Sequence, residues 1–83
     1  MKIRLIRLLS RPGCHLCEDL AKIAAPLIAE AGGTLVEVDV DGDTELSARW
    51  GNEIPVLLDE EGRLLAKAHD DATKIRRRLK AWA

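Results

Sequence analysis

The spacing of hydrophobic residues divides the chain into alternating strand-like and helix-like segments. Residues 2–9 are mostly apolar and end at the turn-forming sequence Arg-Pro-Gly, so we expect a largely buried strand here. Beyond this turn, apolar residues recur at helical spacing until Gly32-Gly33, which predicts a first helix. The stripe of this helix consists of Leu16, Leu20, Ile23 and Leu27, widened by Ala24, Ile28 and Ala31.

Residues 34–40, TLVEVDV, alternate between apolar and acidic side chains. This period of two is typical of a strand that is covered on one face. The apolar side carries Val36, Val38 and Val40, and the polar side carries Glu37 and Asp39. Asp43 or Thr44 can then cap a short helix that continues to Trp50, and Gly51-Asn52 ends it.

Two further strands and a closing helix complete the pattern. The segments IPVLLD (54–59) and RLLAKAH (63–69) flank a short loop whose Gly62 suits a hairpin, so these strands should be antiparallel. The last segment begins with Asp70 and Asp71, which can cap a helix and interact favourably with its dipole. The apolar stripe of this helix consists of Ile75, Leu79 and Trp82.

The order of elements is therefore β-α-β-α-β-β-α. Each β-α-β crossover favours parallel strands, and the final hairpin adds an antiparallel edge. We expect an α/β fold in which a four-stranded mixed sheet carries helices on both faces. At 83 residues the chain has room for a single domain, residues 1–83, and none for a second.

Composition and charge argue against several classes of partner. Acidic and basic residues nearly balance, with a net charge of −1, so the sequence does not favour binding to nucleic acid or to an acidic membrane surface. Residues 76–78 are three consecutive arginines that point to different faces of the last helix, and we interpret them as a solvated surface. Arg4 and Arg7 interrupt the first apolar run, which makes it a poor signal-peptide core and too short a membrane span. We therefore expect a cytoplasmic protein, and a monomer.

The candidate chemistry centres on Cys14 and Cys17, the two cysteines of the chain. A lone Cys-x-x-Cys in a chain without a signal sequence is typical of a redox or metal site rather than of a disulfide framework. Cys14 stands at the predicted helix N-terminus, where unpaired N–H groups and the helix dipole lower the pKa of a thiol. The charge of Arg11, and that of His15 when protonated, would act in the same direction, whereas the acidic residues 18–19 oppose it.

The spacing of the two cysteines also predicts their roles. Cys17 lies almost one helical turn beyond Cys14 and on the same side, close enough to attack a mixed disulfide formed on it. We expect a cycle in which the Cys14 thiolate attacks a disulfide and Cys17 displaces the reduced substrate. An external thiol then resets the pair.

Metal binding is the main alternative chemistry. Structural zinc needs four ligands, and only His15 and His69 could join the cysteines within one chain. Neither histidine is suitably placed, so we expect no metal site within a single chain. A dimer could still share a zinc, copper or iron–sulfur centre across two pairs of thiols. The acidic segment 39–43 lacks the glycine and glutamate of a calcium-binding EF-hand loop, and we interpret it as a turn and helix cap.

The positions of the dithiol and of Ile54-Pro55 resemble those in the thioredoxin superfamily, and most closely those in its small glutaredoxin-like domains. The resemblance covers the whole chain: Cys-x-x-Cys follows the first strand, Ile-Pro opens the third, and an acid pair opens the last helix. It implies a thioredoxin-like fold in which Pro55 is cis and the backbone of Ile54 pairs with a substrate peptide or with glutathione. By the same resemblance, Asp70 and Asp71 hold the glutamyl end of glutathione, and Arg11 meets one of its carboxylates.

The chain departs from the usual glutaredoxin sequence at two places. His15-Leu16 stands between the cysteines instead of Pro-Tyr or Pro-Phe, and Ala68-His69 replaces the Gly-Gly that usually precedes the acid of the glutathione site. These departures weaken the case for glutathione binding and leave the case for dithiol chemistry intact.

The sequence therefore predicts a glutaredoxin-like thiol–disulfide oxidoreductase that is linked to glutathione or to thioredoxin. Its expected substrates are disulfide-bonded or glutathionylated proteins, with glutathione as a co-substrate and no tightly bound cofactor. The alternative is a non-enzymatic dithiol module that binds a metal or a protein partner through the same surface. A third hypothesis is a partner-binding fold whose cysteines are dispensable.

Overall fold

The computed structural model describes residues 5–82, and these form four strands and three helices in the expected order. They are β1 (Leu5–Ser10), α1 (His15–Glu30), β2 (Thr34–Asp39), α2 (Thr44–Trp50), β3 (Val56–Asp59), β4 (Leu64–Lys67) and α3 (Ala72–Trp82), with a 3₁₀ turn at Val40–Gly42 between β2 and α2. The prediction for the first strand began at residue 2, so its part over residues 2–4 lies outside the described residues. No helix within residues 5–82 is long and apolar enough to span a membrane.

The strands form one mixed sheet in the order β2-β1-β3-β4, with helices on both faces, which confirms the expected fold class. β1 and β2 are parallel, in a register that pairs Leu5 with Thr34 and Ser10 with Asp39. β3 is antiparallel to β1, and β4 is antiparallel to β3. The turn of the β3–β4 hairpin contains Gly62 at a φ of 87°, a conformation that glycine adopts without strain.

The crossover from β2 to β3 was expected to make β3 parallel to the first two strands. This prediction was wrong, because β3 is antiparallel to β1. Val56, at the start of β3, pairs with Leu9 near the end of β1, so β3 begins at the edge of the sheet where β1 and β2 end. The seven residues of α2 extend over only about 10 Å, whereas a six-residue strand such as β2 extends over about 20 Å. The short helix cannot carry the chain back along the sheet, and β3 therefore runs in the opposite direction.

The larger core lies on the face of the sheet that α1 and α3 cover. Its buried residues are Ile6, Leu8, Leu20, Ala24, Leu27, Ile28, Leu57, Leu65, Ala66, Ile75 and Leu79. Two residues assigned to the buried stripe of α1 are instead exposed: Leu16 is 50% exposed and Ile23 is 39% exposed. At about 100° per residue, both lie at one margin of the stripe, and α1 rests on the sheet through the opposite side of it.

The smaller core lies on the other face, beneath α2 and the 3₁₀ turn. Its buried residues are Leu9, Val40, Val56 and Leu58, and Val38, Leu46, Trp50 and Ile54 pack against them. Val36 was predicted on the covered side of β2, yet it is 40% exposed. The short α2 covers only the part of this face near Val38. The alternation therefore correctly predicted which face of β2 the valines share, but not how much of that face is buried.

Two of the predicted helix caps are confirmed. Asp43 accepts a hydrogen bond from the backbone N–H of Leu46 at 3.0 Å and begins α2. Asp71 accepts one from the N–H of Lys74 at 2.9 Å and begins α3. Asp70, which was also expected to act as a cap, instead turns back toward β4 and accepts the N–H of Lys67 at 2.9 Å.

Candidate redox site

The two cysteines lie at the junction between β1 and α1. The loop after β1 turns at Gly13, which has a φ of 79°, and the N–H of Cys14 donates to the carbonyl of Arg11 at 3.2 Å. This turn places Cys14 at the N-cap of α1 and Cys17 in its first turn. The two residues form a disulfide, with their Cα atoms 5.3 Å apart.

The two cysteines differ in their exposure to solvent. Cys14 is half-buried, whereas Cys17 is only 2% exposed. The Sγ of Cys14 also accepts a hydrogen bond from the N–H of Cys17 at 3.2 Å. A thiolate on Cys14 would therefore meet both a backbone donor and the positive end of the helix dipole, and these are the conditions that favour a reactive cysteine. The arrangement fits a redox-type module.

His15, predicted to modulate the dithiol, points away into solvent. Its side chain is 92% exposed, and its Nδ1 lies 3.8 Å from Oε2 of Glu18. An exposed pair of this kind contributes little to stability. Any effect of His15 on the dithiol therefore acts through its charge rather than through a fixed contact.

Arg11 is bound by a carboxylate of the protein itself. Its Nε lies 2.7 Å from Oδ2 of Asp41, and its Nη2 lies 2.8 Å from Oδ1, so the pair is bidentate. The hydrogen bond from Arg11 holds the pKa of the Asp41 carboxyl below its usual value. Asp41 is fixed in turn, because its N–H donates to Oδ1 of Asp39 at 2.9 Å. The side chain that the resemblance assigned to a glutathione carboxylate thus already has a carboxylate partner.

The loop before β3 contains the second feature that the resemblance implied. The Ile54–Pro55 peptide bond is cis, and Pro55 is buried. Ile54 is half-buried and packs against the smaller core. Within residues 5–82 no hydrogen bond joins the backbone of Ile54 to another group.

The acid pair before α3 serves two different purposes. Asp71 caps the helix, whereas Asp70 accepts hydrogen bonds from the N–H of Lys67 and from Nη1 of Arg78, each at 2.9 Å. Burial alone would raise the pKa of Asp70, but the hydrogen bonds from Lys67 and Arg78 outweigh it and hold that pKa below its usual value. Nearby, Nζ of Lys67 lies 2.5 Å from Oε1 of Glu53.

Five of the predicted site residues line two pockets beside the dithiol, whereas Pro55, Asp71 and His15 line neither. The dithiol pocket, of about 460 Å³, is lined by Ser10, Arg11, Pro12, Gly13, Cys14, Cys17, Glu18, Glu37 and Asp39. The cis-proline pocket, of about 630 Å³, is lined by Leu16, Asn52, Glu53, Ile54, Leu64, Lys67, Ala68, His69, Asp70 and Arg78. The structure therefore brings Ile54 and Asp70 together, but it places Arg11 in the other pocket. Leu16, between the two cysteines, belongs to the cis-proline pocket.

Four residues that shape these pockets were not predicted: Asp41, Glu53, Lys67 and Arg78. Their partners are distant in sequence, 30 residues apart for Arg11 and Asp41 and 14 for Lys67 and Glu53. No local pattern in the sequence marks such contacts. Among the described residues no group of three or more histidine, cysteine or acidic side chains is arranged to hold a metal ion.

Solved structures show the same fold at similar size. The chain matches the crystal structure of protein XcR50 from X. campestris with a TM-score of 0.75 and 33% identity, over 92% of this chain and 96% of that one. It matches the solution structure of protein Ne2328 from Nitrosomonas europaea with a TM-score of 0.75 and 26% identity, over 90% and 89% of the two chains.

Sequence comparisons identify the family. Uncharacterized proteins of Mycobacterium tuberculosis and Mycobacterium bovis are 36% identical to this chain over 58 residues, which cover 64% of the chain. The match spans 60% of the length of those relatives. The model of the glutaredoxin-like domain (DUF836) matches residues 5–80. The chain, with its Cys14–Cys17 pair at the start of α1, belongs to this glutaredoxin-like family.

Proposed function

We propose that the protein is a thiol–disulfide oxidoreductase with Cys14 as the nucleophile and Cys17 as the resolving thiol. The asymmetry of the Cys14–Cys17 disulfide supports the proposal, since Cys14 is partly exposed at the helix N-terminus and Cys17 is buried in the first turn. An accessible, stabilised thiolate is the species that attacks a disulfide. A buried thiol at one turn's distance reacts with the resulting intermediate rather than with solvent.

In the proposed cycle the reduced Cys14 thiolate attacks one sulfur of a substrate disulfide and releases the other as a thiolate. Cys17, deprotonated as it reacts, then attacks Cys14, which forms the Cys14–Cys17 disulfide and releases the substrate as a second thiol. Two electrons pass from the protein to the substrate. The backbone of Ile54, free within the described residues, is proposed to pair with the substrate chain while these bonds exchange.

The proposed substrates are disulfide-bonded or glutathionylated proteins, and glutathione is the proposed thiol that returns the pair to its reduced form. This chemistry needs a compartment in which thiols are kept reduced, such as the cytoplasm. We also propose that the protein works as a monomer and needs no tightly bound cofactor, because both reacting sulfurs come from one chain.

A redox titration in glutathione buffers tests the proposal. Intact mass would count the dithiol, the disulfide and the glutathione adduct in the wild type, in Cys14→Ser and in Cys17→Ser. We expect a midpoint of roughly −200 to −230 mV, as in glutaredoxins, and an adduct that accumulates on Cys14 only in Cys17→Ser.

The two cysteine variants serve as controls for each other. Exchange activity that persists in Cys14→Ser and disappears in Cys17→Ser would reverse the assigned roles. A midpoint below about −300 mV would indicate a structural bridge instead of an exchanging one. Stoichiometric metal in the purified protein that is lost in both variants would identify a metal-binding module.

A further inference from the structure

Each lysine or arginine side chain that lines the two pockets is already held in an ion pair. Arg11 binds Asp41 at 2.7 and 2.8 Å, Lys67 binds Glu53 at 2.5 Å, and Arg78 binds Asp70 at 2.9 Å. A ligand carboxylate that approaches one of these cations meets a charge that a carboxylate of the protein already offsets, and it must share the N–H donors or displace that carboxylate. Exchanging one exposed carboxylate for another changes the binding free energy very little.

The dithiol pocket also carries more acidic than basic groups. Glu18, Glu37 and Asp39 line it together with Arg11. Because Asp41 neutralises Arg11, the charge that an incoming molecule meets beside the cysteines is negative. At low ionic strength this charge repels an approaching anion and attracts a cation over a distance of about one Debye length.

Apolar side chains also lie beside the dithiol. Leu16 stands between the two cysteines and is 50% exposed, and it lines the cis-proline pocket with Ile54 and the exposed Leu64. Side chains of this type contact the apolar residues of a polypeptide. Glutathione has two carboxylates and one ammonium group, so its net negative charge does not match the acidic dithiol pocket. It has no large apolar side chain to contact the apolar residues of the cis-proline pocket.

We propose that the site binds its substrate through the protein half of a disulfide and not through the carboxylates of glutathione, and that Asp41 determines this specificity by occupying Arg11. The inference rests on the proposed exchange function and defines the substrate class of the same site. The chemistry is unchanged: Cys14 and Cys17 are oxidised to a disulfide while the substrate disulfide is reduced to two thiols. Glutathione still reacts with the dithiol, but it is not held by a charged subsite.

The test uses three small disulfides that differ in charge: glutathione disulfide (anionic), bis(2-hydroxyethyl) disulfide (neutral) and cystamine (cationic). The rate at which each oxidises the reduced wild-type protein is divided by its rate with dithiothreitol, which corrects for intrinsic reactivity. We expect the normalised rates to decrease from cystamine to the neutral disulfide to glutathione disulfide. Raising NaCl from about 20 mM to about 500 mM should bring the three rates together, because salt screens exposed charges.

Asp41→Asn tests the specificity determinant. This variant removes the negative charge that offsets Arg11, so we expect the normalised rate with glutathione disulfide, relative to the neutral disulfide, to rise about threefold to tenfold. Glu30→Gln is the matched control, since it removes one acidic charge at the opposite end of α1 and should change this ratio less than about twofold. The rate with the neutral disulfide reports whether the loop of Asp41→Asn has kept its geometry.

The outcomes separate the two proposals. A wild type that prefers glutathione disulfide to the neutral disulfide, or an Asp41→Asn ratio equal to that of the wild type, would overturn the specificity inference and leave the exchange function standing. If no disulfide oxidises the dithiol faster than it oxidises dithiothreitol, the proposed function fails and the inference fails with it.

Discussion

The two faces of the sheet carry cores of different size, and they serve different purposes. The larger core joins α1, α3 and the sheet, and it contains most of the long buried side chains described. The smaller core lies under α2 and the 3₁₀ turn, and it holds Trp50, Ile54 and Val56 around the cis-proline loop. Stability is therefore concentrated on one face, whereas the other face supports the surroundings of the dithiol. Substitutions in the two cores should therefore separate unfolding from loss of exchange.

The largest effect is expected in the larger core. Ile28→Ala removes a side chain that is 1% exposed, and it should lower the free energy of unfolding by about 2–5 kcal/mol. Ile23→Ala makes the same change on the same helix at an exposed position and should cost less than about 1 kcal/mol. Urea denaturation of the oxidised proteins measures both. Equal losses at the two positions would contradict the assignment of the buried face of α1.

A substitution in the smaller core should affect the site more than the fold. Val56→Ala leaves a cavity directly after Pro55 and should lower the free energy of unfolding by about 2 kcal/mol. Because Val56 supports the cis-proline loop, we also expect the exchange rate to fall about threefold to tenfold. The rate with a neutral disulfide, compared between Val56→Ala and Ile28→Ala under conditions where both are folded, checks this. A larger loss of exchange in Ile28→Ala would show that the two cores do not divide their roles in this way.

Acid should weaken the end of the sheet farthest from the dithiol. Burial alone would raise the pKa of Asp59, but hydrogen bonds from the side chain and N–H of Arg63 and from the N–H of Glu61 outweigh it and hold that pKa below its usual value. A depressed pKa in the folded state adds stability above the unfolded value of about 4, and this stability is lost as the pH falls through the folded pKa.

Asp59→Asn should therefore remove about 1–2 kcal/mol at pH 7 and flatten the decline in stability below about pH 4. Urea midpoints measured across this pH range test the prediction. The exposed neighbour Glu60 offers the control Glu60→Gln, which should retain most of the slope of the wild type. An unchanged slope in Asp59→Asn would place the acid sensitivity elsewhere.

The smallest effect is expected where the smaller core ends. Val36→Thr changes an exposed side chain and should alter the free energy of unfolding by less than about 0.5 kcal/mol. Val38→Thr, two residues along the same strand, adds a hydroxyl against the smaller core and should cost about 1 kcal/mol. Thermal unfolding of the pair measures the difference. A greater loss at Val36 would mean that this part of the sheet is covered more fully than the structure indicates.

Local patterns in the sequence predicted the elements and the dithiol, because periodicity, turn residues and helix caps act over a few positions. The roles of Asp43 and Gly62 are examples of such local control. The direction of β3 could not be derived in this way, since it depends on the short span of α2. Exposure of Leu16 likewise depends on how α1 rotates against the sheet.

The ion pairs around the site are still harder to predict from sequence patterns. Arg11 could be noted as a charge beside the cysteines, but its partner Asp41 comes from the segment after β2. Arg78 was interpreted as part of a solvated run, yet its Nη1 donates to the carbonyl of Leu65 at 2.7 Å and to Asp70. Such contacts join residues that only the folded sheet brings together, so residues with no local signal decide which charges the site presents.

The strand order also determines how the sheet meets other strands. β2 and β4 are its edge strands, and an edge strand offers unpaired N–H and carbonyl groups to any extended chain that approaches. β4 has only four residues, which limits the edge-to-edge pairing that these groups allow. β2 has six residues and carries Glu37 and Asp39, both exposed. A second copy of β2 laid alongside in register would place like charges opposite each other, which opposes the edge-to-edge pairing that begins aggregation.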